Sequence, residues 1–96
     1  MTEIITRFLD AEGRLKQFPA RRKMKILCLF YLAQKFDFHR EYTESEVNLL
    51  LLDLHTFGDP ATLRRELCDY QFLNRSADGH SYRLNPIQPN AEELIP

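Results

Sequence analysis

The chain has 96 residues, 44% of them hydrophobic and 28% charged, with a formal net charge of −1. That length suits one domain burying about 60–65% of its unfolded surface, and the near-neutral balance excludes a generic polyanion binder. No apolar run reaches the ~18 residues of a membrane span, and the acidic start MTEIITRFLD is no secretory signal, so a cytoplasmic protein is expected.

Thr2 to Asp10 reads as a short helix, capped by Thr2, with Ile4, Ile5, Phe8 and Leu9 on one face. Gly13 breaks it. Leu15 and Phe18, with Lys16 and Gln17 between them, fit neither the helical nor the strand period. Pro19 then starts a long helix to about Phe36, and its apolar residues wrap nearly the whole circumference. A helix of that kind is central to a core or offers a second face to a partner chain. Its first turn, Arg21-Arg22-Lys23, sits unfavourably beside the positive end of the helix dipole.

Arg40 to Tyr42 is expected to be a short extended piece. Thr43-Glu44-Ser45-Glu46 matches the capping box, with Thr43 as cap and Glu46 reaching back. The helix that follows, 44–54, buries Val47, Leu50, Leu51 and Leu54 and leaves Leu49 and Leu52 without an assigned place. Phe57-Gly58 closes it. Asp59 caps the next helix, and Pro60 falls at its first position, where a missing N–H costs nothing. Leu63, Leu67 and Tyr70 share one face of that helix. Thr62, Arg65 and Asp69 lie opposite, with Arg64 on the flank.

Asp78-Gly79 is a turn dipeptide between two strand-like runs, Phe72–Ser76 and Ser81–Leu84. Two helices joined by a Gly-containing turn, then a ribbon, make a helix-turn-helix with a wing. The expected fold class is α+β, a winged helix preceded by a short N-terminal helix. The domain is placed at 1–85 and a flexible, proline-containing tail at 86–96.

The blocks GRLKQFPARRKMKILCLFYLAQKF, YTESEVN and ATLRREL…YQFLNRSADGHSYR resemble a bacterial family known as domain of unknown function 2087. The resemblance runs from about Gly13 to Arg83. Members of that family occur alone or at the C-terminus of helix-turn-helix transcription regulators, which implies a role in transcription. One position departs from the family pattern: Gln71 stands where glycine is usual, at the end of the third helix.

The charges are unevenly spread. Six basic residues and no acid lie between Arg14 and Lys25, whereas acids gather from Asp37 to Glu46 and at Glu92 and Glu93. The sharpest functional expectation is therefore a small bacterial or phage regulator that binds double-stranded DNA through the third helix and the wing. Thr62, Arg64 and Arg65 would face the groove, Arg65 being able to grip a guanine edge through two bonds. Arg14, Lys16, Arg21, Arg22 and Lys23, with Arg75, His80 and Arg83 on the wing, would neutralise phosphates. Beside this stands the plainer reading that Arg65 and Asp69 form an ordinary surface pair four residues apart, and that Arg64 is structural.

The alternative is a module for a protein partner or structured RNA, with 14–25 as the anion-facing patch. A homodimer, expected for the DNA reading too, or a partner contact would use apolar faces of helices 20–36 and 44–54, notably Ile26, Leu29, Phe30, Leu49 and Leu52, unless the N-terminal helix and the wing cover these residues within one core. Catalysis is not expected. The three glycines build no phosphate-cradling loop, His39, His55 and His80 are isolated, and no spacing offers a metal or cofactor site. Cys28 and Cys68 read as thiols in apolar surroundings of a reducing compartment.

Overall fold

Asp59 and Thr43 start the two helices around which the chain folds. In the computed structural model, which describes residues 2–90, the Thr43 N–H donates to Glu46 Oε1 (2.9 Å) and the Glu46 N–H to Thr43 Oγ1 (3.1 Å). This box opens α3, Glu44–Leu54. The Asp59 carboxylate accepts the Thr62 N–H at 3.2 Å and opens α4, Pro60–Asp69, with Pro60 at the first position. Before them come α1, Thr2–Ile5, running into a 3-10 turn at Thr6–Phe8, and α2, Arg22–Ala33. After them β1, Leu73–Arg75, pairs antiparallel with β2, Tyr82–Leu84, in the register Leu73↔Leu84 and Arg75↔Tyr82. Tyr42 bridges the far side of β2: its N–H donates to Tyr82 O (2.8 Å) and its carbonyl accepts from Tyr82 N (2.7 Å). The order helix, strand piece, helix, turn, helix, ribbon is a winged helix.

One core holds these pieces together. Leu32 and Ile26 from α2, Val47 and Leu51 from α3, Leu63 and Leu67 from α4, Phe72 just before the ribbon, and Leu73, Tyr82 and Leu84 within it are all buried. Side chains that recur on the helical period thus meet those that alternate along the strands.

The structure shortens the helix expected from Pro19 to Phe36. Pro19 is itself buried, Arg21 is extended and offers no capping side chain, and the helix begins at Arg22. At the other end the Lys35 and Phe36 N–H groups bond back three residues, to Leu32 O and Ala33 O. That tightening turns Phe36 inward, where its ring meets Tyr42 edge-on at 5.3 Å. The N-terminal helix expected to reach Asp10 is also shorter. Leu9 is extended and bridges Leu15, which in turn bridges His55 by Leu15 N–H to Leu54 O (2.8 Å) and Thr56 N–H to Leu15 O (2.9 Å). The stretch that fitted no period is therefore a pinned, extended connector.

Of the apolar residues expected at a partner face, Ile26 and Leu29 lie wholly inside the core. Phe30 is half-buried and packs edge-on against Phe72. Leu49 and Leu52 do remain outside, at 62% and 45% exposure. Cys28 and Cys68 are free thiols, and burial pushes the Cys28 thiol up to about 12. The tail expected at 86–96 is tied down where it begins: Gln88 Nε2 donates to Phe72 O and Asn85 O, both at 2.9 Å. Residues 91–96 lie outside the described part of the chain.

Candidate nucleic-acid interface

The geometry of α4 sorts its side chains into four directions. Leu63 and Leu67 enter the core. Glu66 and Tyr70 face the start of α2, where Lys25 Nζ lies 3.4 Å from Glu66 Oε1 and the Arg22 guanidinium sits 5.8 Å from the centre of the Tyr70 ring. Arg64 and Cys68 face the wing. Arg65 and Asp69 stand exposed on the outer ridge, with Thr62 half-buried beside them. The ridge is thus bordered by cationic side chains of α2 on one side and by the wing on the other.

Arg64 is anchored by the fold. Only 18% of its side chain is exposed; one nitrogen donates to Asn48 Oδ1, and another lies 3.6 Å from Glu44 Oε1. It joins α3, α4 and β2, since its guanidinium also lies 6.0 Å from the Tyr82 ring centre. The structural alternative considered for Arg64 is the arrangement observed. The pair expected between Arg65 and Asp69 does not form at contact range among the described residues. The charge of Arg65 is felt instead at Asp59, whose carboxyl is held below its ordinary value chiefly by the Thr62 bonds, with Arg65 adding to them.

Arg75 on β1 is exposed, and its guanidinium lies 5.9 Å from the Tyr82 ring centre, opposite in register. It also lies against Gly79, where an added Cβ would come within 2.8 Å of Arg75 Nη2. Gly79 has φ +77°, so the turn and the arginine both favour a residue without a side chain. The wing tip is stiffened by its own bonds. Ser76 Oγ donates to Asp78 Oδ1 (2.5 Å), as does the His80 N–H (3.0 Å), and these hold the Asp78 carboxyl below its ordinary value.

The remaining expected contacts divide. His80 is exposed at the wing tip, and Arg21 and Lys23 are exposed at the start of α2, as is Lys16 before it. Arg83 faces Glu41 at 3.7 Å, and Arg14 is held by Asp10 (3.0 Å) and Glu12 (3.8 Å), so both carry a carboxylate of their own. The patch at 14–25 is acid-free in sequence but not in space, because Asp10, Glu12 and Glu66 fold back onto it.

Arg64, Arg65 and Arg75 converge on one open cleft of about 230 Å³ between α4 and the wing, lined also by Glu44, Cys68, Asp69 and Tyr82. A larger cleft of about 330 Å³, between Phe30, Phe36, Phe38 and Leu84, carries no charged side chain. Among the described residues no cluster of three or more His, Cys, Asp or Glu side chains could hold a metal ion. No helix there is long and apolar enough to cross a membrane.

Comparison with protein families matches residues 14–84 to the family described as an uncharacterized protein conserved in bacteria, domain of unknown function 2087. The chain belongs to this family. The matched residues contain α2, α3, α4 and both strands of the ribbon, the whole winged helix, with α1 outside the match. Neither curated proteins nor solved structures gave a match.

Sequence reasoning did not single out His55. It is buried, and because a backbone N–H can only donate, Nε2 must accept the Asp59 N–H (2.9 Å) while Nδ1–H donates to Leu51 O (2.5 Å). The one available signal was its place, directly after a helix and four residues before a cap.

Proposed function

We propose that this winged helix is a non-catalytic bacterial regulator, acting in the cytoplasm, that binds double-stranded DNA by laying α4 in the major groove. The observation that carries the reading is the layout around α4. The outer ridge presents Arg65 and Thr62, with basic groups of the α2 start on one flank and Arg75 of the wing on the other. A helix with its side chains is about 10–12 Å across, matched to a major groove ~12 Å wide whose two phosphate backbones run along both sides of the inserted helix. Arg65 would read a base edge; Arg21, Arg22, Lys23, Arg75 and His80 would meet phosphates. Burial raises both thiols, which argues against a cysteine nucleophile.

Fluorescence-anisotropy titration of random duplex DNA and structured RNA at two salt concentrations tests this. Duplex binding that weakens with salt and is lost in Arg65→Ala supports α4 as the reader. Preference for RNA, abolished only by joint Arg21, Arg22 and Lys23 alanine substitution, would replace it. A second reading, a protein partner, is favoured by the paired exposure of Leu49 and Leu52 on α3. Absence of binding to either nucleic acid at low salt would move the search there.

A further inference from the structure

The cleft between α4 and the wing has an unusual charge balance. Two guanidiniums, Arg64 from α4 and Arg75 from β1, lie within about 6 Å of the centre of one ring, that of Tyr82. An aromatic face attracts a cation, but two cations sharing one ring also repel each other. Glu44 faces Arg64 at 3.6 Å and accepts the Tyr82 hydroxyl at 3.2 Å, so its charge is taken up on the α3 side of the ring. Arg65 and Arg75 enter no ion pair among the described residues. Three guanidiniums therefore meet two carboxylates in this cleft, and the surplus positive charge lies on the wing side.

We propose that Arg64 and Arg75, gathered on Tyr82, form a phosphoryl-binding subsite for one phosphate group. In the duplex reading, on which the source of the phosphate rests, that group is a backbone phosphodiester beside α4. Arg64 is the fixed half, since Asn48 and Glu44 set its plane before any ligand arrives. Arg75 is the adjustable half, lying across Gly79 with its guanidinium open to solvent. A planar guanidinium offers two parallel N–H donors to two phosphoryl oxygens, which a lysine ammonium cannot reproduce. The two arginines come from different elements and line the same cleft, so in the proposal each engages different oxygens of one tetrahedral group.

The test uses the full chain, labelled with 15N, and inorganic phosphate titrated against chloride at constant ionic strength. Saturable shifts are expected for the Nε–H signals of Arg64 and Arg75 and not for those of Arg14 or Arg83. Saturation at Arg64 is expected to disappear in Arg75→Gln, a substitution at an exposed position, with an unchanged melting curve as the control. Shifts that are linear and alike for all arginines, or saturation that survives in Arg75→Gln, would overturn the subsite. A second arm separates this inference from the duplex reading. For duplex DNA, the slope of log affinity against log salt is expected to become shallower by about 0.9 in Arg75→Gln, with equal weakening on all sequences. Duplex binding with an unchanged slope overturns the subsite and leaves the duplex reading standing. Saturable phosphate binding without duplex binding keeps the subsite and overturns the duplex as the source of its phosphate.

Discussion

His55 closes the end of α3 and at the same time holds the residue that begins α4, because its Nε2 accepts the N–H of Asp59. Its other nitrogen donates to Leu51 O, one of the last carbonyls of α3, which has no helical partner of its own. A buried imidazole thus fixes the angle of the helix-turn-helix. His55→Ala would leave a buried carbonyl and the Asp59 N–H without these partners, and is expected to cost about 1–3 kcal/mol before any cavity is counted. A urea midpoint equal to that of the wild type would show that the turn holds itself.

Gln71 is the only non-glycine residue with positive φ among those described, at +68°. Its N–H bonds to Cys68 O (3.0 Å), and the Phe72 N–H to Leu67 O (2.9 Å), a pair of bonds that ends α4 and turns the chain into β1. The left-handed conformation costs an L-residue about 1–2 kcal/mol. Gln71→Gly should therefore stabilise the domain by about 1 kcal/mol, read as a higher denaturation midpoint at unchanged slope. A lower midpoint would mean that the glutamine side chain contributes more than its backbone strain costs.

Leu67 and Leu52 provide a contrast within one residue type. Leu67 is wholly buried and Leu52 is 45% exposed. Leu67→Ala should cost about 2–5 kcal/mol, whereas Leu52→Ala should stay within about 0.5 kcal/mol. A large loss at Leu52 would require an interface that is buried in solution.

Acid should weaken the fold through its caps. The Thr43 N–H holds the Glu46 carboxyl below its ordinary value of 4.5, with Arg40 second, and the Thr62 bonds hold Asp59 below 3.8. A carboxyl whose folded value is depressed binds its proton first in the unfolded chain as pH falls. Its contribution is complete above the ordinary value and fades as pH drops through the folded one. Urea midpoints compared at neutral pH and in acid below those ordinary values should fall, and Glu46→Gln should narrow the difference. An unaltered difference would remove Glu46 from the account.

The two arginines on opposite sides of the wing separate a phosphate role from a structural one. Arg83 has Glu41 at 3.7 Å, whereas Arg75 has no carboxylate partner among the described residues. Arg83→Ala should change duplex affinity much less than Arg75→Ala, measured by anisotropy at one low salt concentration. Equal losses would show that the Glu41 contact opens on binding.

What could be read from the sequence was what neighbours in the chain decide. Thr43 with Glu46, and Asp59 with Pro60, announce their helices because a cap is a contact across three residues. The Asp78-Gly79 turn was legible for the same reason. The start of α2 was not, because Pro19 is drawn into the core and Arg21 left extended by packing that no local pattern records. Leu15 was illegible too, since its bonds go to Leu54 and Thr56, some forty residues away. At the candidate interface, residue types were readable and pairings were not. Arg14 and Arg83 looked as available as Arg65 until folding brought carboxylates to them.

The bridge between Tyr42 and Tyr82 has a consequence for how the molecule assembles. A two-stranded ribbon with three residues in each strand is too short to persist alone. Its central strand gains a second neighbour only when the chain ahead of α3 has come into place, 40 positions earlier in sequence. The wing therefore depends on a distant piece of the chain and is expected to form late in folding. Damage near Phe36 or Tyr42, well away from α4, would blunt the wing without touching a single residue of it.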